Sequence, residues 1–342
     1  MPLGAKDITE LFLLLLMVTV MSMVKLKASM IGTLAAIIGL STLFFTILLS
    51  LFGTLDFLTL GLFVVFLNVL QWLIAPYLVD AMYRVKKASR SEEPELYDML
   101  ERISRESGIR TPQLMIARIP IPNAFAYGSP LTGNRVAVTT GLLNTLEGEE
   151  VEAVIGHELG HLKHRDVQVM MFVSILPALF YYIGYSLVWS SAYARRGERE
   201  NQGSLALIGF LSILLYWVLT LFTLYLSRLR EYFADRHSVS VVNDGRRKLS
   251  EGLVKIAEST ERIRFRNRNL HYLSSLKTLF ISDPDSARRD LSELYQTYTW
   301  RSDQELVNKY LSRKVTSADE FAEFLSTHPN MVKRLRALQE AA

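Results

Sequence analysis

The sequence predicts a mainly α chain, in which several membrane-crossing helices carry a polar part that includes a small β-sheet. Three observations support this. Half of the 342 residues are hydrophobic and the mean hydropathy is positive, although 21% of the residues are charged. The apolar residues gather in blocks long enough for membrane helices, as in a membrane protein with a polar working part. Between the blocks, helical and strand-like periodicities alternate with turn signals.

Five blocks stand out. Leu11–Val24 is the shortest. A helix of that length rises only about 21 Å against a hydrocarbon core of about 30 Å, so it needs Ile8–Glu10 and a snorkelling Lys25 to span. No small-x-small cleavage site follows it, which argues against a signal peptide. Met30–Phe52 and Phe57–Val79 are long enough to span, and Val167–Trp189 and Leu205–Leu226 form a second pair around the polar loop Ala194–Gly203. Lys25, Lys27, Arg84, Lys86, Lys87, Arg90, Lys163, Arg165, Arg228 and Arg230 flank the blocks on one side, against Arg195, Arg196 and Arg199 on the other. That bias places the polar part in the cytoplasm and the chain in the cell membrane, in contact with the lipid bilayer.

The expected organisation is residues 1–80 as N-terminal membrane helices, 81–166 as a first polar segment, 167–226 as a membrane hairpin and 227–342 as a second polar segment. Both ends of the hairpin open on one side, so the two polar segments can pack together. Within the first, Glu95–Ser107 reads as an amphipathic helix with Leu96, Met99, Leu100 and Ile103 on one face, ended by Gly108. Gln113–Ala117 and Arg135–Thr139 read as strands, with Asn123–Tyr127 between them in sequence. Pro120 and Pro122 before that middle piece, and the turn cluster Ser129–Asn134 after it, mark an edge strand. An extended peptide can add to such an edge by backbone hydrogen bonding; Phe125 reads equally well as a core residue. Glu147, Glu149 and Glu150 favour a helix start through the helix dipole. Beyond residue 245 the chain reads as several helices, and Arg262, Arg264, Arg266 and Arg268 read as a solvated or headgroup-facing run.

No cysteine is present, so disulfides and thiolate metal sites are excluded. The net charge of +4 is modest and much of it flanks the apolar blocks, so no nucleic-acid partner is expected.

His157-Glu158-Leu159-Gly160-His161 carries the chemistry. Residues four apart share a helix face, so both imidazoles can reach one metal ion. Glu158 lies one position round, where a general base can take a proton from water activated by that metal. A catalytic zinc usually has three protein ligands. Of the other histidines (164, 237, 271 and 328), His164 lies about 10 Å along the axis from His157, too far to share the ion. It reads as a capping or supporting residue, and His237 faces elsewhere. Glu231 and Asp235, four apart on the helix that follows the fifth block, serve better. Glu231 can be the third ligand, and Asp235 can accept a hydrogen bond from the distal nitrogen of a ligating histidine.

The chain resembles the membrane zinc metallopeptidases of the HtpX type, within the gluzincin group that also includes the CAAX prenyl endopeptidases. The resemblance rests on His157-Glu158-Leu159-Gly160-His161, Glu231-Tyr232-Phe233-Ala234-Asp235 and His328-Pro329-Asn330-Met331-Val332-Lys333-Arg334. Asn123-Ala124-Phe125-Ala126, followed by Val136-Ala137-Val138-Thr139-Thr140-Gly141, matches the family's strand region beside the cleft. Coverage runs from about residue 85 to 340; the departure is at the N-terminus, with three apolar blocks where the family has two. The resemblance implies a zincin-like catalytic domain with one zinc ion on His157, His161 and Glu231 and with Glu158 as the catalytic base. It further implies His328 and Arg334 supporting the tetrahedral intermediate, and Asn123, Ala124, Phe125 and Ala126 binding substrate. The implied reaction is endopeptidase cleavage of unfolded or membrane polypeptides in membrane-protein quality control. Prenyl-protein processing calls for a chamber enclosed by more helices. A catalytically silent zinc scaffold has no use for Glu158, and a transporter usually carries a charge within an apolar block, which none of these does.

Overall fold

The computed structural model describes residues 57–193, 202–266 and 302–340. The blocks Leu11–Val24 and Met30–Phe52, and His271, lie outside the described residues. The chain divides into two units, Met1–Phe63 and Val64–Ala342, and apart from the first residues of the helix that begins at Phe57 the second holds every feature discussed below.

Among the described residues three helices are long and apolar enough to cross a membrane, and they contain the third, fourth and fifth sequence blocks. They are α1 (Phe57–Met82), α5 (Asp166–Tyr193) and α6 (Gln202–Val241). In the α5–α6 hairpin the backbones touch. A Cβ built on Gly184 would lie 2.7 Å from the carbonyl oxygen of Gly209, which only small residues permit. The 40 residues of α6 rise about 60 Å, twice the hydrocarbon thickness. Its C-terminal half therefore leaves the bilayer and enters the polar part, carrying Glu231 and Asp235 with it.

The polar part is built on a four-stranded sheet of β1 (Val85–Lys87), β2 (Gln113–Ala117), β3 (Ala124–Ser129) and β4 (Gly133–Thr139), in the order β1-β2-β4-β3. β2 and β4 run parallel, and the other neighbours are antiparallel. β3 is thus an edge strand, as its prolines predict. Its far end is tied to the end of α1, where Asp80 accepts hydrogen bonds from the Tyr127 hydroxyl at 2.6 Å and from Arg135 at 2.5 Å.

The sheet and α2 (Pro94–Glu106) pack around α4 (Gly148–Lys163), which follows the short α3 (Thr140–Thr145). α4 starts at a capping box in which Glu147 and Glu150 satisfy each other's backbone N–H groups. It is buried over most of its length. Val151, Val154, Ile155 and Leu159 lie in the core, each worth about 1.5–3 kcal/mol on full burial, and so hold in place a helix that also carries polar chemistry. Four further helices, α7 (Gly245–Arg266), α8 (Asp303–Ser312), α9 (Ser317–Phe324) and α10 (Met331–Glu340), complete the described residues.

Candidate metal centre

Two glycines on α4 determine how closely α6 can approach. A Cβ on Gly156 would meet Val242 Cγ2 at 3.0 Å, and one on Gly160 would meet Ala234 Cα at 3.0 Å. Without side chains at these positions the two helices lie against each other, and Ser238 Oγ donates to the Ala153 carbonyl at 2.6 Å across the seam. The helix carrying Glu231 and Asp235 is thereby laid beside the one carrying His157 and His161.

The Nε2 atoms of His157 and His161 are 3.2 Å apart. Glu231 closes the triangle, with Oε1 at 3.5 Å from His161 Nε2 and Oε2 at 3.7 Å from His157 Nε2. Donors bonded to a tetrahedral zinc stand about 3.3–3.5 Å apart, so the spacing fits one ion. Among the described residues this is one of two groups spaced to hold a metal ion, the other being Glu150, Glu251 and Asp303. That second group already has a cation, because Lys255 Nζ lies 2.7 Å from Glu150 and 2.8 Å from Asp303.

Both histidines are oriented from behind. Asp235 Oδ1 lies 2.9 Å from Nδ1 of His157, and Asp166 Oδ2 lies 2.6 Å from Nδ1 of His161. A carboxylate on Nδ1 fixes the tautomer that turns the Nε2 lone pair toward the shared centre. Arg334, only 1% exposed, grips Asp235 with both ends of its fork, Nε at 2.6 Å and Nη2 at 2.7 Å. Its Nη1 lies 3.3 Å from Glu231. Arg230 in turn donates to the Asp166 carbonyl at 2.9 Å. Burial pushes the His161 imidazole down, but the Asp166 hydrogen bond and the charges of Glu231 and Glu158 carry it above the ordinary histidine range. Glu158, Glu231, Asp235 and Asp166 set four carboxylates against two guanidinium groups, a balance that a divalent cation neutralises.

Glu158 reaches β3, where its Oε2 accepts the backbone N–H of Ala126 at 2.7 Å. A cleft of about 160 Å³ opens here, lined by Ala124, Phe125, Ala126, Glu158, Met170 and His328 together with His157, His161 and Glu231. His328 Nδ1 lies 3.4 Å from Glu231 Oε2, an ion-pair distance rather than a hydrogen bond.

The structure thus brings His157, Glu158, His161, Glu231, Asp235, His328, Arg334, Ala124, Phe125 and Ala126 together. One of the expected substrate-strand residues, Asn123, is placed differently, whereas Phe125 lines the cleft. Asn123 spends its backbone groups on Thr139, and Phe125, paired with Ala137, buries its ring between Tyr83 and Tyr127. Strand alternation leaves the backbone groups of Ala124 and Ala126 facing the free edge. His164 caps the end of α4, and His237 bonds Ser107 at 2.9 Å, away from the ligands. Sequence reading missed Asp166. It lies beyond the end of α4, and only the left-handed turn at Arg165 (φ 55°) swings it back to His161.

The model of Peptidase family M48 matches residues 90–342. The protease HtpX homolog of Thermoplasma acidophilum is 37% identical over 285 residues, covering 81% of this chain and 83% of that protein. That of Aeropyrum pernix is 33% identical over 322 residues, covering 92% and 95%. The crystal structure of S. mikatae Ste24p shares the fold, with a TM-score of 0.53 and 17% identity over 90% of this chain, which spans 64% of that longer one. The chain belongs to Peptidase family M48 and is a membrane metalloprotease.

Proposed function

We propose that His157, His161 and Glu231 hold one zinc ion and that Glu158 is the general base of an endopeptidase acting on unfolded or membrane polypeptides. The observation that carries this is the pair of Nε2 atoms 3.2 Å apart, each backed by a carboxylate on Nδ1, with Glu158 adjacent and turned to the edge strand. Bound there, zinc supplies a Lewis acid that polarises a carbonyl and lowers the pKa of water.

This chain's own residues do the rest. An extended peptide lies along β3, exchanging backbone hydrogen bonds with Ala124 and pairing with the carbonyl of Ala126, whose N–H is held by Glu158. Glu158 takes the proton of the attacking water and returns it to the leaving nitrogen, so the peptide C–N bond breaks to a carboxylate and an amine. His328 lines the cleft beside Glu231 and supports the charge that develops on the carbonyl oxygen. Arg334 does not line the cleft. It acts through Asp235, holding the carboxylate that orients His157. Backbone pairing reads little side-chain identity, which suits loosely defined sequences in unfolded segments.

The polar segments 81–166 and 227–342 form one catalytic part across the hairpin 167–226, supported by the contacts of α4 with α6 and of Arg334 with Asp235. The bias of the positive flanks supports a position of that part on the cytoplasmic side of the cell membrane, where membrane-protein quality control is the role that fits. The test is zinc stoichiometry and casein-type proteolysis of the purified protein, with and without Glu158. Full zinc with proteolysis abolished in Glu158→Ala supports the reading. Unchanged proteolysis rejects it.

A further inference from the structure

α9 has its apolar side the wrong way out. It buries Asp319 and Ala322, while Phe321 is 65% exposed, Phe324 48% and the following Leu325 39%. Residues at i, i+3 and i+4 share one helix face, so the three form a patch rather than scattered surface hydrophobics. The polar N-terminal end of the helix is secured by the capping box of Thr316 and Asp319.

The opposite end sits at a defined level. Arg228 Nη1 donates to the carbonyls of Glu323 at 2.9 Å, Phe324 at 3.2 Å and Ser326 at 2.7 Å. Arg228 is the second residue beyond the apolar block Leu205–Leu226, and its guanidinium lies over the ring of Tyr225, 5.7 Å from the centroid. Tyr225 and Phe222, on the last turns of that block, are themselves exposed. An aromatic ring with a polar tip, topped by a cation, is the composition of a membrane–water boundary. The patch on α9 therefore continues the lipid-facing side of α6 at the depth where α6 leaves the bilayer.

We propose that α9 is an interfacial anchor, with Phe321, Phe324 and Leu325 seated at the headgroup–acyl boundary of the bilayer that α6 spans. Exposed Glu320 beside Phe321 limits the depth, since its charge stays in the headgroup layer. The anchor bears on the catalytic part. Glu323, on the same helix, accepts the Asn330 N–H at 3.2 Å and Lys333 Nζ at 2.6 Å, bracing the segment that carries His328 and Arg334. The lipid surface thus helps to hold the C-terminal wall of the cleft.

The absence of cysteine permits a direct test on the full chain. Phe321→Cys, Phe324→Cys and, as a reference on the exposed end of α10, Gln339→Cys would each carry a nitroxide label. The labelled proteins, checked for retained proteolysis, would be reconstituted singly into phosphatidylcholine–phosphatidylglycerol nanodiscs. Relaxation by oxygen, which concentrates in lipid, is compared with relaxation by a water-soluble nickel chelate. The anchor requires oxygen to dominate at 321 and 324 and nickel to dominate at 339. Nickel dominating at all three positions would place the patch in water. Low accessibility to both reagents at 321 and 324 would mean that protein covers it, a second copy or another part of this chain. Either result overturns the proposal.

Discussion

Ala126 donates its backbone N–H to Oε2 of Glu158 at 2.7 Å, so the free edge of the sheet and the proposed base are one hydrogen-bonded unit. The bond fixes the carboxylate one residue along the helix from His157. It also means that a peptide pairing with β3 lies against the group that takes the proton.

Glu158→Ala removes that carboxylate and leaves all three ligand side chains in place. We expect zinc to be retained and kcat to fall by about 10²–10⁴-fold, the usual cost of a lost general base. Metal analysis and casein-type proteolysis on the same preparation check it. Wild-type rates would return the protein to a non-catalytic zinc scaffold.

The two orienting aspartates should behave alike and differently from the ligand. Glu231→Ala is expected to strip the metal. Asp235→Asn and Asp166→Asn keep the shape but lose the charge behind a ligand histidine, and each should cost about 10–100-fold in metal affinity or activity. Competition with a chelator gives the affinities. Zinc held by Glu231→Ala would refute the third-ligand assignment, and an unaffected Asp166→Asn would reduce the 2.6 Å contact to a surface detail.

What was legible in the sequence follows from how local each cause is. His157, His161, Glu231 and Asp235 stood out because helical periodicity is set within one turn, and the apolar blocks because length and composition alone decide them. β2 matches its sequence reading, and the edge position of β3 was marked by prolines that cannot donate to a ladder. Asp166 was not legible, because its approach depends on a left-handed turn at Arg165 rather than on spacing. Which of residues 123–126 face the free edge depends on pairing with β4, and alternation places Ala124 and Ala126 there while Asn123 turns inward. β1, three residues with two lysines, has no pattern of its own and exists because β2 offers it a partner.

Gly160 sits inside the histidine motif, but its role is set by the helix opposite. A Cβ there meets backbone at 3.0 Å from Ala234 and cannot be accommodated by a side-chain rotation. Gly160→Ala should therefore cost about 1–3 kcal/mol as overpacking, read as a lower denaturation midpoint. It should also weaken zinc binding by moving Glu231 away from His157. Unchanged stability together with unchanged zinc affinity would show that the seam tolerates a methyl group.

Sidedness can be tested in the same cysteine-free chain. Cysteines introduced singly at Ser89, near β1, and at Ser190, near the far end of α5, are treated with a membrane-impermeant thiol reagent on intact cells. The expected pattern is labelling at 190 and protection at 89, as the bias of flanking Lys and Arg requires. The reverse pattern would put the cleft outside the cytoplasm.

The last prediction separates substrate pairing from the positioning of the base. Ala124 opens β3, a position where proline is tolerated in strands, and alternation turns its N–H to the free edge. Ala124→Pro removes that one donor without touching a zinc ligand or the Ala126–Glu158 bond. It should raise KM for an unstructured peptide while kcat, zinc content and thermal stability stay close to wild type. Ala126→Pro removes the donor that holds Glu158, so its loss should fall on kcat as well. The comparison needs only steady-state kinetics on the two folded variants. If Ala124→Pro leaves KM unchanged, peptide does not pair with β3 through that N–H. If Ala126→Pro matches Ala124→Pro in both constants, the contact with Glu158 contributes nothing to the chemistry.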